Sequence, residues 1–257
     1  MTRRTCSALS VALILCAHPS GFAAEGRSQP GQLEEAPAPE AGIAWKLTPT
    51  YYHSSAEHDA WDVNLRGNTG TQTWWAGYYR RDDEFRQLRL GYERPLEWSG
   101  GRLVPSLQYA TRGFLGGSLS AELGEPWYAI VGWGRTNLKN YYNLNFDPND
   151  AITIGVGTRV LPDTTLSLYQ VRDDRLGTSQ RVTHLVARFK VAAHRRWTID
   201  VFRREGRPDN DAASETLRGV GASLTYDFEP WFVRVASDPY VNFTNNHMVR
   251  AAAGFRF

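Results

Sequence analysis

Apolar and polar side chains alternate at every second position through successive segments of about ten residues, and residues 248–257 show the pattern most clearly. Five small or apolar residues share one face of that segment: Val249, Ala251, Ala253, Phe255 and Phe257. The other face carries Met248, Arg250, Ala252, Gly254 and Arg256. Residues 152–160, 183–191 and 219–228 repeat this period of two. A period of two is that of a β-strand with two different faces, so the pattern predicts an all-β chain.

The segments and their connections indicate how the strands are arranged. We predict fourteen strands, with twelve as the alternative, at 43–53, 58–67, 71–80, 84–94, 102–111, 115–123, 127–135, 151–161, 164–172, 181–191, 196–204, 215–228, 230–237 and 247–257. Tight connections at 161–163, 192–195 and 228–230 alternate with longer polar ones at 136–150, 173–180, 205–214 and 238–246. Short turns on one rim and long loops on the other are typical of a transmembrane antiparallel up-and-down β-barrel.

Alternation by itself does not separate a barrel from a soluble sandwich, because one face of a sandwich strand is also apolar. A soluble periplasmic β-sandwich binding protein therefore stays open as an alternative. No apolar run near the 20 or so residues of a membrane-spanning helix follows the N-terminal segment, and the mean hydropathy is -0.45. Nine Trp and twelve Tyr suit the strands and interfacial girdles of a barrel.

The N-terminal segment has the features of an export signal. Arg3 and Arg4 precede an apolar stretch at 8–17, and small residues around Ala23 suit cleavage. We expect a signal peptide at 1–24, a disordered periplasmic tail rich in Pro, Glu, Gln and Gly at 25–42, and the barrel at 43–257. Cys6 and Cys16 both lie in the signal, so the mature chain has no thiol chemistry.

Cleavage also changes the charge. Without Arg3 and Arg4, the 29 Lys+Arg become 27 and equal the 27 Asp+Glu. The near-neutral mature chain gives no reason to expect nucleic-acid binding.

The last strand, Val-Arg-Ala-Ala-Ala-Gly-Phe-Arg-Phe at 249–257, together with the export signal, resembles the C-terminal strand of bacterial outer-membrane β-barrel proteins. The resemblance implies localisation in the outer membrane of a Gram-negative bacterium. It also implies that the barrel-assembly machinery reads Phe255 and Phe257 as an assembly signal, and that outer-membrane lipids surround the barrel. Because trimeric porins have larger subunits, we expect a monomer.

If the apolar face meets lipid, charged side chains of the other face line the lumen. This set comprises Asp62, Arg66, Arg89, Glu93, Arg159, His184, Arg188, Lys190, Asp200, Arg204, Asp227, Arg234, Arg250 and Arg256. Cations outnumber anions, which favours a small, weakly anion-preferring pore. The alternative is an interior filled by paired charges, as in a structural component of the envelope.

One arrangement could support catalysis. His53 and Ser55 are two residues apart and so share a strand face. A carboxylate of Glu57, Asp59 or Asp62 is near enough in sequence to orient the imidazole. The His-x-Ser spacing resembles that of outer-membrane phospholipases and lipid A deacylases, which implies a lipid-acting hydrolase as an alternative function. No Asn follows Ser55, and the pair lies on the first strand rather than a later one. We therefore favour a non-enzymatic barrel with no cofactor, and the scattered histidines predict no metal site.

The longest loop, 140–150, mixes aromatic rings with amides and carboxylates. We expect an aromatic-anchored loop capped by the Asp-Pro-Asn-Asp turn at 147–150. Binding a sugar and folding inward as a constriction are the alternatives.

Overall fold

A computed structural model of the protein describes residues 42–82 and 85–257. The expected signal peptide at 1–24 and all of the expected tail except Gly42 lie outside the described residues. Within them, no helix is long and apolar enough to span a membrane. The two helical segments are single 3₁₀ turns at Thr111–Gly113 and Val241–Phe243.

Strands make up most of the described chain, and each predicted strand is present within a few residues of its predicted bounds. The strands are β1 (Ala44–Ser54), β2 (Ala60–Asn68), β3 (Thr73–Arg81), β4 (Phe85–Glu93), β5 (Leu96–Trp98), β6 (Gly101–Ala110), β7 (Phe114–Leu123), β8 (Trp127–Thr136), β9 (Ala151–Thr158), β10 (Thr164–Asp173), β11 (Arg181–Ala192), β12 (Arg195–Gly206), β13 (Leu217–Phe228), β14 (Trp231–Asp238) and β15 (Met248–Arg256).

The strands form one closed antiparallel sheet. Consecutive strands pair with each other except at β5, and β1 pairs with β15. The three-residue β5 lies in the connection between β4 and β6 and pairs with β6 only, while β4 pairs directly with β6. Fourteen strands therefore make the wall, which confirms the predicted barrel. The alternative of twelve strands is wrong, because fourteen are present in the wall. The soluble sandwich is also wrong, because a single closed sheet has no second sheet to pack against.

The two rims differ as predicted. The loops 137–150, 174–180, 207–216 and 239–247 lie on one rim, called here the long-loop rim. The opposite, short-turn rim carries the connections 124–126, 159–163, 193–194 and 229–230 together with the start of β1 and the end of β15. Trp45 and Phe257 complete the closure there, with backbone N–H···O distances of 2.8 and 3.0 Å in the two directions.

The outer surface of the wall is apolar. Outward-facing side chains such as Trp61, Ile154 and Val220 are 60%, 66% and 69% exposed, whereas inward-facing neighbours such as Asp62 and Thr153 are fully buried. Exposed apolar surface on this scale is stable only against another apolar phase. Since each of the fourteen wall strands also pairs with a strand on either side, the wall forms its backbone hydrogen bonds within the sheet, as a membrane requires.

Glycines on the inward face make room for aromatic rings of the adjacent strand. A Cβ on Gly157 would lie 2.2 Å from the Tyr128 ring, and one on Gly254 would lie 1.8 Å from the Phe232 ring. The rings therefore lie flat against the wall instead of projecting across the lumen.

Candidate pore and its inward-folded loop

The loop 137–150 between β8 and β9 folds into the barrel. From Tyr141 to Asp150 its residues are buried, apart from the half-buried Tyr142 and Asn145. A loop on the outside of the rim would leave these side chains in water. Of the alternatives weighed for this loop, the structure therefore shows the inward fold, in addition to the predicted aromatic anchoring.

One end of the loop is fixed to the wall at β3, β4, β6 and β7. The Gln87 side chain donates to the Tyr142 carbonyl and accepts from its N–H, both at 2.9 Å. The Tyr142 ring stacks on Tyr79 with centroids 5.2 Å apart. Tyr141 stacks on Phe114 at 4.2 Å and accepts a hydrogen bond from Gln108. These contacts replace the water that the backbone of an exposed loop would bind.

Arg250 of β15 holds the middle of the loop from the other side of the lumen. Its guanidinium donates to both oxygens of Asp238 at 2.7 and 2.9 Å, and to the Leu144 carbonyl at 3.1 Å. It also lies 4.8 Å from the centroid of the Phe146 ring. Bidentate pairs of this kind combine strength with fixed geometry, so the loop backbone is tied to two strands at once.

His184 of β11 makes the next connection. Its Nδ1 lies 3.1 Å from Asp200 of β12, and its Nε2 lies 3.3 Å from Asp147 in the loop. The imidazole stacks on Tyr169 at 4.8 Å. The ring thus bridges a wall carboxylate and a loop carboxylate.

Asp150 fixes the end of the loop. Its carboxylate accepts from the Thr136 hydroxyl at 2.6 Å and from Arg175 at 2.6 Å. Because Thr136 ends β8 and Asp150 precedes β9, these bonds close the base of the loop on the rim.

Little space remains beside the loop. A cavity of about 20 Å³ lies under it, lined by Thr50, Tyr52, Arg89, Leu144, Asn145, Arg234, Arg250 and Ala252. On the rim side, a vestibule of about 180 Å³ is lined by Phe85, Arg86, Gln87, Thr111, Arg112, Asn140, Tyr141 and Tyr142. The cavity has room for about one water molecule.

The short-turn half of the lumen is strongly basic. Its inward-facing cations are Lys46, Arg66, Arg102, Arg159, Arg188, Arg196, Arg234 and Arg256, and its inward-facing carboxylates are Glu93, Glu122 and Asp227. Arg66 pairs with Glu93 at 3.2 Å, Arg159 pairs with Glu122 at 2.6 Å, and Asp227 is shared by Arg196 and Arg256. Positive charge exceeds negative charge even after these pairs are counted.

Comparisons with known proteins bear on the fold. No protein-family model matches the chain, and no curated protein matches it. Among solved structures, the outer membrane protein Omp33 of Acinetobacter baumannii superposes with a TM-score of 0.54 at 10% identity, covering 84% of this chain and 98% of that one. The fold is that of an outer-membrane β-barrel. It indicates the bacterial outer membrane as the location.

Two further matches have lower scores. The KdgM porin gives a TM-score of 0.46 at 6% identity over 82% of this chain and 99% of that one. OprD from Pseudomonas aeruginosa gives 0.43 at 8% identity over 84% and 93%. At these identities the likeness of this outer-membrane barrel to known proteins concerns the fold alone.

The structure places the predicted lumen residues of this outer-membrane barrel in two groups. Arg66, Glu93, Arg159, Arg188, Asp227, Arg234 and Arg256 lie in the basic half, whereas Asp200, Arg204 and Arg250 lie near the loop. Arg89 contacts Asp62 between the two groups. Lys190 lies at the end of its strand, half exposed and 3.9 Å from Asp163.

The sequence reasoning missed several charged residues of the inward face, among them Lys46, Arg102, Glu122, Arg196 and Asp238. Each has the strand parity of a buried neighbour, as Lys46 has that of Thr48. The alternation of inward and outward positions along each strand was therefore the signal that would have identified them.

The structure does not join His53 to Ser55 in this barrel. His53 Nδ1 lies 2.9 Å from Asp59, which is the orienting contact expected of a catalytic histidine. The Ser55 hydroxyl instead accepts from the His247 N–H at 2.8 Å and contacts Asn246 at 3.4 Å. Among the residues described, no hydrogen bond links the two side chains, so the geometry gives no support to a nucleophile and base pair.

Proposed function

We propose that this protein is a narrow, anion-preferring channel of the outer membrane, with a bore limited by the loop 137–150. The observation that carries the proposal is the loop itself, which crosses the lumen and is tied to the wall by Gln87, His184 and Arg250. A loop held at three points inside the barrel has a fixed position, so it would set the width of the passage beside it.

The charge of the lumen supports selectivity for anions. Eight inward-facing cations and three carboxylates occupy the half that opens to the short-turn rim. Excess charge of one sign in a bore with low-dielectric walls raises the local concentration of the opposite ion. Small anions therefore enter more readily than cations from the periplasmic side.

Planar lipid bilayers test the channel directly. We expect the refolded, heat-modifiable protein to give small conductance steps, because the loop occupies much of the lumen at its level. A variant with residues 141–149 replaced by a short Gly-Ser linker is expected to give larger steps. Steps of equal size in the two proteins would show that the loop does not limit the bore.

The selectivity needs its own experiment. Reversal potentials in a KCl gradient are expected to favour chloride, and the R234Q,R256Q variant is expected to reduce that preference because it removes two lumen cations. The matched control is R80Q,R86Q, which removes two outward-facing arginines on β3 and β4. An equal change in both variants would show that the lumen charges do not set selectivity.

A structural component of the envelope is the second candidate. The small cavity under the loop favours it, since tight packing stabilises the barrel and blocks passage at once. The absence of conductance from both the native protein and the linker variant would favour this candidate over the channel.

The predicted partners belong to the same proposal. We expect a monomer surrounded by outer-membrane lipid and assembled by the barrel-assembly machinery through Phe255 and Phe257. The two rings stack with centroids 5.8 Å apart at the short-turn rim, where an inserting strand would first pair with β1.

A further inference from the structure

Charged side chains form a row across the outer surface at the long-loop rim. Arg172 of β10 is opposite Arg181 of β11, Arg181 is opposite Glu205 of β12, and Glu205 is opposite Arg218 of β13. All four face away from the lumen, since the alternate positions of their strands, such as Val171, Val182, Arg204 and Gly221, are buried. Arg203 lies on the same face, two residues below Glu205.

A single carboxylate serves this group of arginines. Glu205 lies 3.1 Å from Arg181, 3.1 Å from Arg218 and 3.5 Å from Arg203. The side chains of Arg203 and Arg218 remain 63% and 64% exposed. Each guanidinium has five N–H donors, so most of the donors in the group point outward.

The row has excess positive charge. In the part of the chain that the structure describes, Arg172 has no ion-pair partner, yet it is directly opposite Arg181. Like charges in directly opposite positions destabilise a sheet. An anion bound across the row would offset this repulsion.

The position of the row indicates the source of that anion. Directly below it on the same face lie Leu185, Val201 and Val220, which belong to the apolar outer belt. The boundary of this belt is the level of lipid headgroups. Because the long loops of such barrels face the cell exterior, the headgroups concerned are those of the outer leaflet.

We propose that Arg172, Arg181, Arg203 and Arg218 bind the phosphate groups of an anionic lipid in the outer leaflet. Guanidinium groups match phosphate in a bidentate geometry, and Glu205 holds the arginines in place. The site faces lipid and is separate from the lumen, so it goes beyond the proposed channel.

Lipid retention by the full-length barrel tests this site. The barrel is purified in a neutral detergent, mixed with phosphatidic acid or with diacylglycerol of the same acyl chains, and analysed by native mass spectrometry. We expect retention of phosphatidic acid and much weaker retention of diacylglycerol. The R203Q,R218Q variant is expected to retain phosphatidic acid at least about tenfold less well, because each basic residue near a membrane surface contributes appreciably to binding.

The matched control is R80Q,R86Q, which removes the same charge from the same rim on another part of the wall. Heat modifiability on gels verifies that each variant is folded. Equal losses in the two variants, or equal retention of the two lipids, would overturn the proposal. If inorganic phosphate at the same concentration as phosphatidic acid displaced the bound lipid, the site would be assigned to a free anion and the lipid proposal would be rejected. Since retention is measured without a bilayer, the result does not depend on whether the barrel conducts.

Discussion

His184 Nε2 on the wall lies 3.3 Å from the Asp147 carboxylate on the inward-folded loop. The opposite nitrogen of the same ring faces Asp200 at 3.1 Å. The loop is thus connected to β11 and β12 by one buried ring, and this connection is independent of the anchors at Gln87 and Arg250. Changes at Asp147 therefore probe the loop without removing a strand residue.

We predict that Asp147→Asn loosens the loop. Hydrogen bonds to charged groups contribute about 1.5–3 kcal/mol, and the substitution removes the charge on one partner of His184 while the contact with Asp200 remains. The expected result is a noisier single-channel current with a larger mean conductance. Asp209→Asn is the control, because Asp209 lies in the exposed loop 207–216 and contacts Ser214. Identical current traces for Asp147→Asn and the native protein would contradict the loop anchoring.

We predict that Arg250→Ala destabilises the barrel by about 3–5 kcal/mol, since removing one partner of a buried ion pair leaves the other unpaired. Asp238 would lose both of its hydrogen bonds from Arg250, and Leu144 would lose one. Arg203→Ala, at an exposed pair, is expected to cost about 0–1 kcal/mol. Urea unfolding in lipid vesicles measures both. Equal free energies of unfolding for the two variants would show that Arg250 does not brace the lumen.

We predict that Phe257→Asp impairs assembly before it affects conductance. The ring is 61% exposed on the outer face beside Phe255, and a carboxylate there is unfavourable against lipid. Its backbone closes the barrel with Trp45, and the substitution leaves those backbone groups in place. The amount of heat-modifiable protein in membranes is the measurement, with Phe257→Leu as the apolar control. Native amounts of the Asp variant would reject the assembly signal.

We predict a low titration midpoint for Asp59, in the connection between β1 and β2. The Tyr51 hydroxyl and the Ser54 N–H donate to its carboxylate and hold its pKa below the usual range. A lowered pKa in the folded state stabilises the fold above the pKa of the unfolded chain, and this contribution is lost as pH falls through the folded value. Carboxyl NMR shifts measure the midpoint. Tyr51→Phe is expected to raise it, and an unchanged midpoint would show that the Tyr51 contact has no effect.

Much of the wall could be predicted from the sequence, because strand period and turn length are local properties. The faces of residues 248–257 and 183–191 were assigned correctly from alternation, since a shift of one residue would move every apolar side chain into the lumen. Arg250 and Arg256 were assigned to the inward face on the same grounds, and the structure places both there.

Contacts across the lumen were decided by the tertiary structure. Leu144 and Arg250 are far apart in sequence, and no local pattern distinguishes a loop that folds inward from one that stays in water. The row formed by Arg172, Arg181, Glu205 and Arg218 likewise depends on the register of four strands. The sequence by itself determined which side chains face lipid, because that depends on a period of two. Closure of the sheet decided which side chains contact each other, because only closure fixes the distances between strands that are remote in the chain.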